Sequence, residues 1–253
     1  MKYPLIFSTL AVLSLAACLP ETPTATVTKD TTVDLTSFHA WPNRESTTVD
    51  VNAIGRDNMV FVIDRSGSMD WDACESNNSK RAETITALTT FIPYIPDGTA
   101  VGYIDFGTNY RITVPLETNN TAQLMAAAQN DAGEWGGTNL GAAIQVANEM
   151  LETAALEQSS TGTYRLVIIT DGVADDSRKL VATVESINQT PVEIITAGFC
   201  FDSAHVLNTP EDTVYVQANN TDDLVALLES TVKTEATGFV VDFADTVLTD
   251  ATE

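Results

Sequence analysis

Three oxygen-bearing side chains stand on alternate positions in "MVFVIDRSGSMDW", residues 59–71: Asp64, Ser66 and Ser68. An apolar run rises to a carboxylate and then breaks into hydroxyl residues and glycine, a spacing that lets several oxygens share one target. Two further oxygen donors occupy comparable settings. Thr138 lies in the Gly-rich "GEWGGTNLG" just ahead of a helical stretch, and Asp171 follows the apolar run of "YRLVIITDG". Carboxylate and hydroxyl oxygens without His or Cys suit a hard cation, Mg²⁺ or else Mn²⁺ or Ca²⁺, in a near-octahedral setting that keeps some waters. Each fragment also has an ordinary reading: Ser66 and Ser68 as caps of the next helix, and Asp171-Gly172 as a turn.

The elements that would bring these donors together alternate in texture. The runs 59–64, 99–107, 164–172 and 192–199 are short, rich in Val and Ile and bounded by Gly or Asp, as strands covered on both faces would be. Helical spacing fills about 79–92, 120–130, 139–157, 176–188 and 220–235. In the third of these, Leu140, Ile144, Ala147, Met150, Leu151 and Ala154 recur at three- and four-residue steps and define one buried stripe. Such alternation predicts an α/β, doubly wound fold: a mostly parallel central sheet with helices on both faces. Residues 110–117, "YRITVPLE", fit one antiparallel edge strand, where Pro115 is tolerated. In this architecture ligands gather at the carboxyl ends of the strands, so Asp64 and Asp171 are expected on one rim.

Composition narrows the partners. The chain has 253 residues and 44% hydrophobic content, enough for one sizeable core, and 35 acidic against 12 basic residues give a net charge of -23. No concentrated Lys/Arg face is available for phosphate, which argues against nucleic acid. Residues 1–17 have the grammar of a secretory signal, with Lys2, an apolar stretch and then small residues. Leu15-Ala16-Ala17-Cys18 resembles the lipobox of bacterial lipoproteins, which implies lipidation at Cys18 and a membrane-anchored protein of the bacterial envelope. Leu19 after that cysteine favours the outer membrane by the same resemblance. Residues 18–56 then read as a Pro/Thr-rich tether with accessory strands between 33 and 54, residues 57–235 as the main domain, and 236–253 as an extension.

Asp64-x-Ser66-x-Ser68, Thr138 in "GGTNLGAAI" and Asp171 in "IITDG" together resemble the metal-ion-dependent adhesion site of the von Willebrand factor type A domain. "RITVPL" and "VEIITAGF" fit the same pattern. The resemblance implies that Asp64, Ser66, Ser68 and Thr138 hold the metal, that Asp171 acts through water, and that a carboxylate from a protein partner completes the coordination. It implies a binding module for adhesion or envelope assembly; the alternatives are a scaffold with a structural metal and, more remotely, a hydrolase. Phosphoaspartyl chemistry wants a second Asp where Ser66 stands, no G-x-S-x-G elbow surrounds any serine, and His39 and His205 belong to no constellation, so no catalytic residue is assigned.

The connection "DWDACESNNS" after Met69 is longer than the family's usual one and carries Asp70, Asp72 and Glu75 toward the rim, any of which is a rival for the open coordination position. Trp71 and Trp135 fall on rim loops as partner anchors or as local packing. Cys74 and Cys200 fall on the same rim, and an exported setting favours a Cys74–Cys200 disulfide over two unrelated thiols.

Overall fold

β1 (Asp57–Asp64) is buried at every position after its first, because it lies in the middle of a six-stranded sheet ordered β3-β2-β1-β4-β5-β6. In this computed structural model, residues 52–130, 136–201, 206–208 and 213–232 are described. β2 (Ala100–Phe106) and β4 (Thr163–Thr170) flank β1 in parallel, and β5 (Val192–Phe199) and β6 (Thr213–Ala218) continue the parallel order outward. β3 (Tyr110–Glu117) closes the other edge antiparallel to β2. The pairing of β2 with β3 slips in register beside Pro115, which has no N–H to offer a ladder.

Strand periodicity divides the core into two layers. Met59, Phe61 and Ile63 face one side, with α1 (Lys80–Phe91), α2 (Thr121–Ala128) and α5 (Thr221–Val232) packed on them. Val60 and Val62 face the other side, against α3 (Leu140–Glu157) and α4 (Ser177–Ile187). The expected stripe of α3 is buried at Leu140, Ile144, Ala147, Leu151 and Ala154, with Met150 half-buried at its margin. The doubly wound, mostly parallel sheet with one antiparallel edge is therefore the observed fold. β6 is the one strand that sequence patterning does not mark: it is six residues long, lies at an edge and is only partly covered. The proposed signal, Cys18, most of the tether and of the accessory-strand segment 33–54, and the C-terminal extension lie outside the described residues, whereas residues 52–55 form a turn.

Two devices fix the long connection between β1 and α1. Cys74 is disulfide-bonded to Cys200, just past β5, with Cα atoms 5.6 Å apart and 126 residues of sequence between them. Replacing both cysteines with serine is expected to cost about 2–4 kcal/mol of stability, since the crosslink closes a long loop in the unfolded chain. Urea denaturation of the oxidised protein and of the double variant checks this, and equal stabilities would contradict it.

The second device is the buried Glu83 on α1. Its Oε1 accepts from Ser76 Oγ at 2.5 Å and Asn78 Nδ2 at 3.0 Å, and its Oε2 accepts from the backbone N–H of Thr221 at 2.9 Å and from the Thr221 hydroxyl. Burial works to raise its pKa, but the hydrogen bonds from Ser76, Thr221 and Asn78 outweigh burial and hold it below the ordinary glutamate value. A depressed folded-state pKa gives stability that is present above the ordinary carboxylate range and is lost as pH falls through the lowered value. Glu83→Gln should therefore destabilise near neutrality by about 1–3 kcal/mol, the cost of breaking charged hydrogen bonds. The gap to wild type should shrink on acidification, and a gap constant from pH 7 to pH 3 would contradict the clamp.

Candidate functional site

Strand order reverses direction between β1 and β4: the chain proceeds from β1 outward through β2 and β3, and from β4 outward through β5 and β6. The carboxyl ends of these two strands form the crevice where such sheets bind ligands. Parallel register pairs Ile63 with Ile169, which sets Asp64 beside Thr170. The Thr170 hydroxyl donates to Asp64 Oδ2 at 2.6 Å, and the Ser66 N–H donates to Oδ1 at 2.7 Å. Asp64 is only 1% exposed, and no Lys or Arg among the described residues forms an ion pair with it. Burial pushes its pKa up to about 6, the bonds from Thr170 and Ser66 pull it down, and Asp171 nearby adds a smaller push upward. Its charged form is poorly compensated, and a cation at the rim would supply what is missing.

The serines connect Asp64 to Asp171. Ser66 Oγ and Ser68 Oγ lie 3.2 Å apart, and Ser68 Oγ donates to Asp171 Oδ1 at 2.7 Å. Neither serine caps a helix. Ser66 precedes the short 3₁₀ turn Gly67–Asp70 without a side-chain capping bond, and α1 is capped instead by Ser79, whose Oγ accepts from the Ala82 N–H at 3.2 Å. The hydroxyls thus face the rim.

Thr138 is brought in by the neighbouring loop. The Gly67 N–H donates to the Gly136 carbonyl at 3.1 Å, so the glycine-rich segment is tied directly to the serine turn. Asp175 grips Thr138 through both backbone groups: its Oδ2 accepts the Thr138 N–H at 2.8 Å and its own N–H donates to the Thr138 carbonyl at 2.9 Å. Glycine is required at two positions here. A Cβ on Gly137 would stand 2.3 Å from Asp175 Oδ2, and Gly136 has φ of +75°. Asp176 accepts the N–H groups of Gly141 and Ala142 at 3.0 and 2.9 Å, capping α3 from another loop. The Thr138 hydroxyl takes no part in the hydrogen bonds among the described residues.

Arg65, next to Asp64 in sequence, does not serve it. Its Nε donates to Asp105 Oδ1 at 2.8 Å and its Nη2 reaches Tyr103 Oη and the Ala127 carbonyl, each at 3.4 Å, so its charge is matched beneath the rim. Lys80 does reach the rim, with its Nζ 2.5 Å from Asp171 Oδ2.

Two of the three rival carboxylates of the long connection have partners of their own, and the third, Asp72, is exposed and bridges Ser79 through its backbone. Asp70 pairs with Arg81 at 2.8 Å, and Glu75 accepts from Asn219 and Asn220 at 3.3 and 3.0 Å, so both are engaged away from Asp64. Trp71 is 68% exposed, with the Lys80 ammonium 5.6 Å from its ring centroid, whereas Trp135 lies outside the described residues.

Sequence reasoning missed Thr170, Lys80, Asp175, Asp176 and the Arg65–Asp105 pair. Thr170 and the acidic doublet flank Asp171 and could have been sought there, whereas Lys80 and Asp105 come together only through the fold.

Among the described residues no three His, Cys, Asp or Glu side chains are grouped to hold a metal. The carboxylates of Asp64 and Asp171 and the hydroxyls of Ser66 and Ser68 lie at the rim beside the Lys80 ammonium, with the loop that carries Thr138 tied to them, and these oxygens are of the kind that fits a hard cation. Fold and rim together define a doubly wound α/β domain with a hydroxyl-rich crevice at its topological switch point. Residues 59–173 match the model of the von Willebrand factor type A domain. Integrin alpha-2 from Bos taurus is 28% identical over 134 residues, which are 52% of this chain and 11% of the integrin. The pilus adhesin SpaC from Lactobacillus rhamnosus GG shares the fold with a TM-score of 0.58 at 16% identity, over 75% of this chain and 31% of the adhesin. The manganese-loaded TRAP protein from Plasmodium vivax does so with a TM-score of 0.52 at 15% identity, over 70% of this chain and 73% of that one. The chain thus spans about a tenth of the integrin and under a third of the adhesin.

Proposed function

We propose that this domain is a binding module in which Asp64, Ser66, Ser68 and Thr138 hold a divalent cation, with Asp171 placed behind Ser68, and that the cation receives a carboxylate from a protein partner. The observation that carries this reading is Asp64, a buried carboxylate without an ion-pair partner among the described residues, adjoining two hydroxyls 3.2 Å apart. When bound, the cation supplies an open coordination position that recognises an anionic oxygen. The chain's own residues do the rest: Thr170 orients Asp64, Asp175 fixes Thr138, and the Gly67–Gly136 bond joins the two donor loops. A binding rather than catalytic role is supported by relatives whose names are those of an integrin and a pilus adhesin.

The lipobox-like segment ending at Cys18 supports export and lipid anchoring in a bacterial envelope, at the outer membrane by the residue that follows. No helix among the described residues is long and apolar enough to cross a membrane.

Cross-linking on intact cells with and without chelator tests the module. Capture of the same protein partner by wild type with Mg²⁺, its loss with EDTA and its recovery on adding Mg²⁺ or Mn²⁺ are expected. Capture unaffected by EDTA would instead make any metal here structural.

A further inference from the structure

Among the described residues, the Lys80 ammonium is held at the rim against Asp171 rather than in solvent. Lys80 opens α1, its backbone N–H donates to the Trp71 carbonyl at 3.0 Å, and the residue is only 8% exposed. Three groups surround Nζ: Asp171 Oδ2 at 2.5 Å, the Ser68 carbonyl at 3.3 Å, and the Trp71 ring at 5.6 Å to its centroid. Asp171 is thereby engaged through both oxygens, with Ser68 Oγ on one and Lys80 on the other.

The two rim carboxylates are consequently unequal. Asp171 has its charge matched by Lys80, whereas Asp64 has no such partner among the described residues. Asp64, Asp171 and Lys80 sum to a charge of about −1, so a divalent cation would leave the loaded rim at about +1, and one carboxylate from outside would bring it to neutrality. Without Lys80 the same rim would carry two uncompensated carboxylates. It would take the cation more tightly and, once loaded, would be neutral and have little attraction for an anion.

We propose that Lys80 is a positioning and charge-setting residue: its ammonium holds Asp171, weakens the intrinsic affinity for the divalent cation, and keeps the loaded rim positive so that an anionic ligand is preferred. The inference rests on the cation-binding reading above and specifies how that reading selects its ligand. The two effects have opposite signs, which a merely structural lysine would not produce.

The test uses the full chain with Mg²⁺ as one probe and acetate as the other. Calorimetric titration of Mg²⁺ into wild type, Lys80→Met and Lys80→Arg should show Lys80→Met binding about tenfold tighter, with Lys80→Arg close to wild type because the charge is retained. Acetate titrated into the Mg²⁺-loaded proteins and followed by NMR should bind several-fold more weakly to Lys80→Met than to the other two. Thermal unfolding in EDTA selects folded samples, and Lys80→Gln stands in should Lys80→Met fail to fold. A wild type that binds no Mg²⁺ overturns the cation-binding reading and this inference with it. A wild type that binds Mg²⁺, beside a neutral variant that binds it equally or less tightly, overturns the inference alone.

Discussion

Asp64→Ala abolishes measurable Mg²⁺ binding while leaving the domain folded. This result is expected because Asp64 supplies the one rim carboxylate without a countercharge among the described residues, the remaining proposed direct donors being the neutral hydroxyls of Ser66, Ser68 and Thr138. Losing a charged ligand from such a set is expected to lower affinity by at least about a hundredfold, in line with the several kcal/mol by which a close charge interaction exceeds a neutral one. The fold is expected to survive, since the apolar layers on both faces of β1 lie beneath the rim. Burial of the Asp64 carboxylate costs stability that the bonds from Thr170 and Ser66 offset only in part, so the variant should lose little stability relative to wild type in EDTA. Adding Mg²⁺ should raise the melting temperature of wild type only. Equal calorimetric affinity in the two proteins would remove Asp64 from the site.

Arg65→Leu produces the largest loss of stability expected of any substitution near the rim. Arg65 and Asp105 are 3% and 1% exposed and 2.8 Å apart, so removal of the guanidinium leaves Asp105 buried with Arg111, at 3.4 Å and half exposed, as its one cationic neighbour among the described residues. Breaking a buried pair from one side typically costs about 3–5 kcal/mol. The Tyr103 hydroxyl and the Ala127 carbonyl would also lose their donor. Most of this cost is the stranded charge, so adding Asp105→Asn should recover a large part of it. Urea denaturation of the two single variants and the double variant measures the coupling, and strictly additive losses would contradict the pairing argument.

These substitutions fall on adjacent residues whose fates the sequence distinguishes only in part. The alternate oxygens of "DRSGS" and the Val/Ile-rich run ahead of them announce a strand delivering donors to a rim, because period-two geometry and the position of polar residues at strand ends are local facts. The same locality makes β1, β2, β4, β5 and all five helices legible, and the edge position of β3 follows from Pro115. What is not local is not legible. Lys80 meets Asp171 across 91 residues and Arg65 meets Asp105 across 40, contacts created by packing α1 and β2 around β1. Asp70 and Glu75 look like rivals for a cation from their place in the sequence, yet Arg81 and the Asn219–Asn220 pair claim them. β6 escapes notice because a short edge strand exposed on part of its surface has neither a continuous apolar run nor a clean alternation.

Soaking crystals of the protein with Mn²⁺ and recording anomalous scattering locates the metal without reference to a partner or an activity. One dominant peak is expected at the carboxyl ends of β1 and β4, within about 2.0–2.4 Å of oxygens from Asp64, Ser66 and Ser68. The same peak should be absent from Asp64→Ala crystals treated identically. A wild-type rim without a peak at saturating Mn²⁺, or a peak retained in Asp64→Ala, would contradict cation binding by Asp64.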